Sequence, residues 1–118
     1  MRIAVLAALV LALPAAACGG GSATGLWGTV TRGPTKPVCS EAGPCTEPAV
    51  GSTLVFSRRG RAVARVRVGE RGRYTVSLRA GDYRVRTPAG FMSVEPVLVH
   101  VVAGKRRHVD FAIDTGIR

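Results

Sequence analysis

Between Thr53 and Thr87 the chain alternates apolar and polar residues in short runs, each closed by a glycine or a proline. Side chains of an extended strand point to opposite faces with a period of two, so strict alternation of this kind marks half-buried β-strands. The clearest run is Arg61 to Val68. It sends Ala62, Ala64, Val66 and Val68 inward and Arg61, Arg65 and Arg67 outward. No helical period is sustained long enough to compete. The chain is thereby confined to an all-β architecture built from short strands and Gly/Pro-rich turns.

Extending the same reading predicts seven strands: Leu26–Thr31, Thr53–Ser57, Arg61–Val68, Arg73–Arg79, Asp82–Thr87, Val94–Val102 and Arg107–Asp114. In the first, Leu26, Gly28 and Val30 share one face and Trp27, Thr29 and Thr31 the other. Tyr74, Val76, Leu78, Tyr83 and Val85 face inward, and Arg73, Arg79, Arg84 and Arg86 outward. A Pro-rich loop from Gly33 to Gly51 follows the first strand. Arg58-Arg59-Gly60, Gly69-Glu70-Arg71-Gly72 and Ala103-Gly104-Lys105-Arg106 supply turns. Seven strands with polar outer faces are expected to form a two-sheet, seven-stranded Ig-like or prealbumin-like β-sandwich. Trp27, the single tryptophan, is expected to be buried in it.

The N-terminus is of another kind. Arg2, the apolar run from Ile3 to Leu13 and the small residues Ala15-Ala16-Ala17 form a secretory signal at 1–17. The apolar run falls well short of the roughly 20 residues a spanning helix requires. Cys18 closes it, followed by Gly19-Gly20-Gly21-Ser22. This arrangement resembles the lipobox of bacterial lipoproteins, which implies that Cys18 is lipidated and becomes the first mature residue. Residues 18–25 then read as a Gly/Ser tether with a root-mean-square reach of about 15 Å, and 26–118 as the domain. The expected location is extracytoplasmic, on the bacterial cell membrane through a lipid anchor. Plain secretion after cleavage at the same bond is the alternative.

With Cys18 assigned to lipid, Cys39 and Cys45 remain as an even pair in an oxidising compartment, and a disulfide between them is expected. The charge is 17 Lys+Arg against 7 Asp+Glu, a formal net of +10. Only Lys36 and Lys105 are lysines, so the basic character is carried by arginine. A secreted location argues against nucleic acid as partner and for anionic headgroups, wall phosphopolymers or acidic glycans.

Four short stretches carry a further resemblance: Gly28-Thr29-Val30, Gly72-Arg73-Tyr74, Leu78-Arg79-Ala80-Gly81 and Asp82-Tyr83-Arg84-Val85. Together they resemble the carboxypeptidase regulatory-like, or transthyretin-like, domain, over Leu26 to about Ile113. The resemblance implies the sandwich fold and no defined activity. The inserted segment Thr31 to Ser52 departs from the family pattern and is similar to secreted bacterial variants. The hydrolase relative of transthyretin carries a His/Arg/His cluster and a Tyr-Arg-Gly-Ser tail, whereas this chain ends Thr115-Gly116-Ile117-Arg118.

Candidate chemistry is therefore sparse, with no catalytic residue, metal site or cofactor assigned. No Ser-His-Asp spacing, nucleophile elbow or Gly-rich phosphate loop is present. His100 and His108, with Asp110, would form a metal or base site if their strands paired around the Lys105 turn. Arg65, Arg67, Arg84 and Arg86 all point outward and would form an anion-binding patch if their strands shared a sheet. Like charges in register repel, so such a cluster points to a counter-anion. The expected function is a non-catalytic, membrane-anchored binding module for an anionic envelope component or a partner protein. Its rivals are a structural stabiliser of an envelope complex and a metal-dependent enzyme on His100/His108. The oligomeric state is not legible.

Overall fold

The computed structural model describes residues 24–39, 45–90 and 92–117. The signal segment, Cys18 and most of the tether lie outside the described residues. The described chain is all-β and packs as two sheets. Its strands are β1 (Gly25–Gly33), β2 (Glu47–Pro48), β3 (Thr53–Arg58), β4 (Arg61–Arg67), β5 (Arg73–Ser77), β6 (Gly81–Arg86), β7 (Ser93–Glu95), β8 (Leu98–Val101), β9 (Arg106–His108) and β10 (Phe111–Asp114). A single 3-10 turn, Glu70–Gly72, precedes β5.

The long first strand is the spine of the six-stranded sheet. Its first half pairs with β5 antiparallel and β9 parallel; its second half pairs with β10 parallel and β2 antiparallel. β7 closes that sheet against β10. The other sheet has four strands in the order β4-β3-β6-β8, all antiparallel. Phe56 from β3 meets Phe111 from β10 edge-on, with centroids 6.1 Å apart, and Tyr74 lies 5.5 Å from the same ring. These rings join the sheets through a core that includes Leu26, Val30, Leu54, Val68, Val85, Val101 and Ile113.

Ten strands replace the seven expected, for reasons lodged in particular residues. Val94–Val102 is two strands, because Pro96 lacks an N–H for the ladder. β7 stays with the first sheet while β8 crosses to the second. Arg107–Asp114 is likewise split, at Val109-Asp110, where the Val109 amide bonds to the Trp27 carbonyl and the Asp110 side chain takes the Thr29 amide. Within the long loop, Glu47 and Pro48 pair briefly with Arg32 and Thr31. In β4 the register shifts at Val63, so Ala62 is exposed and only Ala64, Val66 and Val68 turn toward the core. Ala62 is thus corrected from inward to outward.

Glycine is required where backbones touch. Gly72 has φ +74°, and a Cβ there would stand 2.7 Å from the Val30 carbonyl oxygen. Gly28 lies against the Val109 carbonyl, and a Cβ would also stand 2.8 Å from Asp110 Oδ1. The two inward tyrosines anchor the fold by their hydroxyls. Tyr74 donates to the Val109 carbonyl at 2.6 Å and Tyr83 to the Arg79 carbonyl at 2.6 Å. The latter reaches back four residues, the geometry of a tyrosine corner. Cys39 and Cys45 form the expected disulfide, Cα atoms 5.6 Å apart.

Candidate anion-binding face

The four-stranded sheet brings Arg65, Arg67, Arg84 and Arg86 onto one outer face. β4 and β6 flank β3, and Val55 pairs with Arg65 on one side and Arg86 on the other. Arg84 stands one register row along, across Ser57, and Arg67 one row the other way, beside Thr53. Strand spacing sets Arg65 and Arg86 about 10 Å apart, with Arg84 and Arg86 about 7 Å apart along β6. All four are exposed. Val55 lies on this outer face yet is fully buried, and it belongs to no core cluster. The aliphatic stems of its two arginine neighbours are placed to cover it while their guanidinium groups stay in water.

The face is not flat. Arg84 and Arg86, with Ser57, Arg59, Asp82 and Leu98, line a concavity of 470 Å³. Its far wall comes from β8, where Leu98 pairs with Arg84 and His100 with Asp82. Asp82 is engaged by His100 Nδ1 at 2.6 Å. Leu98 remains 61% exposed, so the concavity combines guanidinium donors with one apolar wall. Arg58 is used differently: its guanidinium lies 5.6 Å from the Tyr83 ring centroid and packs over Gly81.

The histidines do not converge as one site. β8 pairs with β6 in one sheet and β9 with β1 in the other, so the pairing around the Lys105 turn does not form. Each takes its own carboxylate, His100 with Asp82 and His108 Nε2 with Asp110 Oδ1 at 2.9 Å. Among the described residues, no group of three or more His, Cys, Asp or Glu is placed to hold a metal ion.

On the opposite sheet, Trp27 is 45% exposed, correcting the expectation of burial. Alternation had already put it opposite Leu26; its ring stacks on His108, centroids 4.3 Å apart at 16°. Asp110 sits at the strand break beneath them. Its Oδ1 accepts from the Thr29 amide at 2.8 Å and from the Thr29 hydroxyl at 3.1 Å. The Thr29 amide bond, the largest effect, holds the carboxyl below its ordinary range; burial opposes it next, and the Thr29 hydroxyl and His108 add to the lowering. Burial, aided by that carboxylate, pushes the Tyr74 phenol up.

Asp82 and Leu98 were not singled out from the sequence. Asp82 shares the parity of Arg84 and was therefore readable as outward. Leu98 was not, because its strand order depends on the crossing at Pro96. No family model, curated protein or solved structure matches this chain.

Proposed function

We propose that the protein is a non-catalytic extracytoplasmic module, lipid-anchored at Cys18, whose four-stranded sheet binds an anionic component of the cell envelope or an acidic partner protein. Its fold is read as a prealbumin-like sandwich of the carboxypeptidase regulatory-like kind. The observation supporting this reading most directly is the placement of Arg65, Arg67, Arg84 and Arg86 on one face, with Arg84 and Arg86 lining a concavity in it. Guanidinium groups offer planar, paired donors suited to phosphate and carboxylate oxygens. An anion spanning the rows relieves the repulsion among them.

The test is association of the full chain with an isolated envelope fraction through a series of salt washes. The module reading expects charge-dependent association beyond that of the anchor. Arg65→Gln/Arg67→Gln/Arg84→Gln/Arg86→Gln should remove it while keeping the stems over Val55. Equal retention of both chains at every salt concentration would contradict it.

A further inference from the structure

The end of the sandwich where the chain emerges from its tether is built differently from the other end. Thr24 is tied into it by two bonds, its carbonyl accepting from the Leu78 amide and its hydroxyl from the Gly104 amide, and the neighbouring Gly25 amide donates to the Lys105 carbonyl. Register brings the β3–β4 turn to the same end, because Arg58 packs over Gly81 and Gly81 pairs with Val101. This pole therefore collects Arg59, Arg61, Arg79, Lys105, Arg106 and Arg107 around Thr24. Among the described carboxylates, Asp82 alone lies here, and it is engaged by His100.

Asp110 lies midway along β1, against Thr29 and His108, and the far half carries the other acidic side chains, which offset its Arg32, Lys36, Arg71 and Arg73. Glu47 pairs with Arg32 near the far end of β1. Glu95 and Asp114 lie in register with that same half, and Glu70 is in the turn against it. The sandwich is thus electrically polarised along β1, with its cationic end at the attachment point.

We infer that this pole is a docking surface for an anionic phospholipid bilayer, which seats the domain with β1 pointing away from the membrane. The inference rests on the anchored reading of Cys18. Six residue steps separate Cys18 from Thr24, so Thr24 stays within about 20 Å of the lipid-bearing residue even at full extension. The cationic end is therefore the end held at the headgroups. The lipid holds the chain at the bilayer, and a polybasic surface beside it sets which end of the domain faces the headgroups. The pole also presents Val102 and a 380 Å³ hollow lined by Thr24, Leu78, Ala80 and Ala103, apolar surface that can settle among headgroups. The arginine face of the four-stranded sheet then stands to the side, open to a partner.

Trp27 reads this geometry without a label, since it is the single tryptophan and lies three residues, about 10 Å, from Thr24. The full chain is reconstituted in vesicles carrying a headgroup-linked energy acceptor. One set is phosphatidylcholine alone and the other is mixed with phosphatidylglycerol. Energy transfer from Trp27 should be stronger in the anionic vesicles and fall to the neutral level in high salt. A cation near an anionic surface contributes about fivefold. Arg61→Gln/Arg79→Gln/Lys105→Gln should therefore lower the docked-to-free ratio ~100-fold. These three positions contribute to the fold through their backbones, and a melting curve verifies that the variant is folded. The four-arginine variant of the sheet face should keep the wild-type transfer. Equal transfer in neutral and anionic vesicles, or loss with the sheet-face variant and not the polar one, would overturn the inference. Retention on neutral vesicles in high salt reports the anchor alone. A chain that washes off there overturns the anchored reading and leaves the charge-dependent transfer to judge the pole.

Discussion

Asp110 shows how one carboxylate can hold a break in a sheet together. It replaces the missing ladder bond to Thr29 and steadies His108 under the Trp27 ring. Because its folded value lies below the ordinary range, its contribution to stability is present above the unfolded carboxylate value. That contribution is lost as pH falls through the lower, folded one. Asp110→Asn should lower the melting temperature at neutral pH, and the gap from wild type should close at pH values below the ordinary carboxylate range. A gap that is constant with pH would show that the carboxylate charge is not what matters. Gly72→Ala should cost about 2 kcal/mol or more in urea unfolding, from its left-handed φ and the contact with the Val30 carbonyl. Tyr83→Phe removes the bond to the Arg79 carbonyl and should cost about 1–2 kcal/mol, with the ring left in place. The alternation around Tyr74 and Tyr83 made both rings readable as inward. Their hydroxyl partners were not readable, because these depend on the break between β9 and β10 at Val109 and a corner at Arg79.

Among the elements, the strands readable from residue types were those whose faces differ sharply. The outward Arg and inward Val of β4 and β6 are examples. What escaped were changes of partner within one apolar run. From Val94 to Val102 the side chains give no sign that the run leaves one sheet for the other; Pro96 was the available signal. Val63 shows the same limit at an edge, since one inserted residue turns Ala62 outward without altering composition. Such bulges twist an edge away from pairing with another chain. The Cys39–Cys45 ring sits at the far end of β1, where the Cys45 carbonyl accepts from Thr35. Replacing both cysteines by serine should lower unfolding stability by about 2 kcal/mol on the chain-entropy account. Phe56→Ala, by removing the ring that joins β3 to β10, should cost about 3–5 kcal/mol. A smaller loss for Phe56 than for the cysteine pair would mean that the sheets are held elsewhere.

At the scale of the whole molecule, most of the described arginines fall into two groups with different geometry. Arg59, Arg61, Arg79, Arg106 and Arg107 gather at the end where β1 begins, while Arg65, Arg67, Arg84 and Arg86 spread over one sheet face. The outward parity of the second group was legible in the alternation. Their common sheet was not, since it depends on β3 lying between β4 and β6, an order that short antiparallel strands do not declare. A net charge of +10 by itself would speak only to solubility and long-range attraction. Register converts it into a surface with a spacing. The direct measurement is the affinity of the full chain for immobilised linear polyphosphate over a salt series, beside the four-arginine Gln variant and its Arg→Lys counterpart. By counterion release, wild type should weaken steeply with salt, and the Gln variant should lose about 3 from the slope of log affinity against log salt. The Lys variant should retain the slope. A Gln variant with the wild-type slope would contradict the assignment of this face to anion binding.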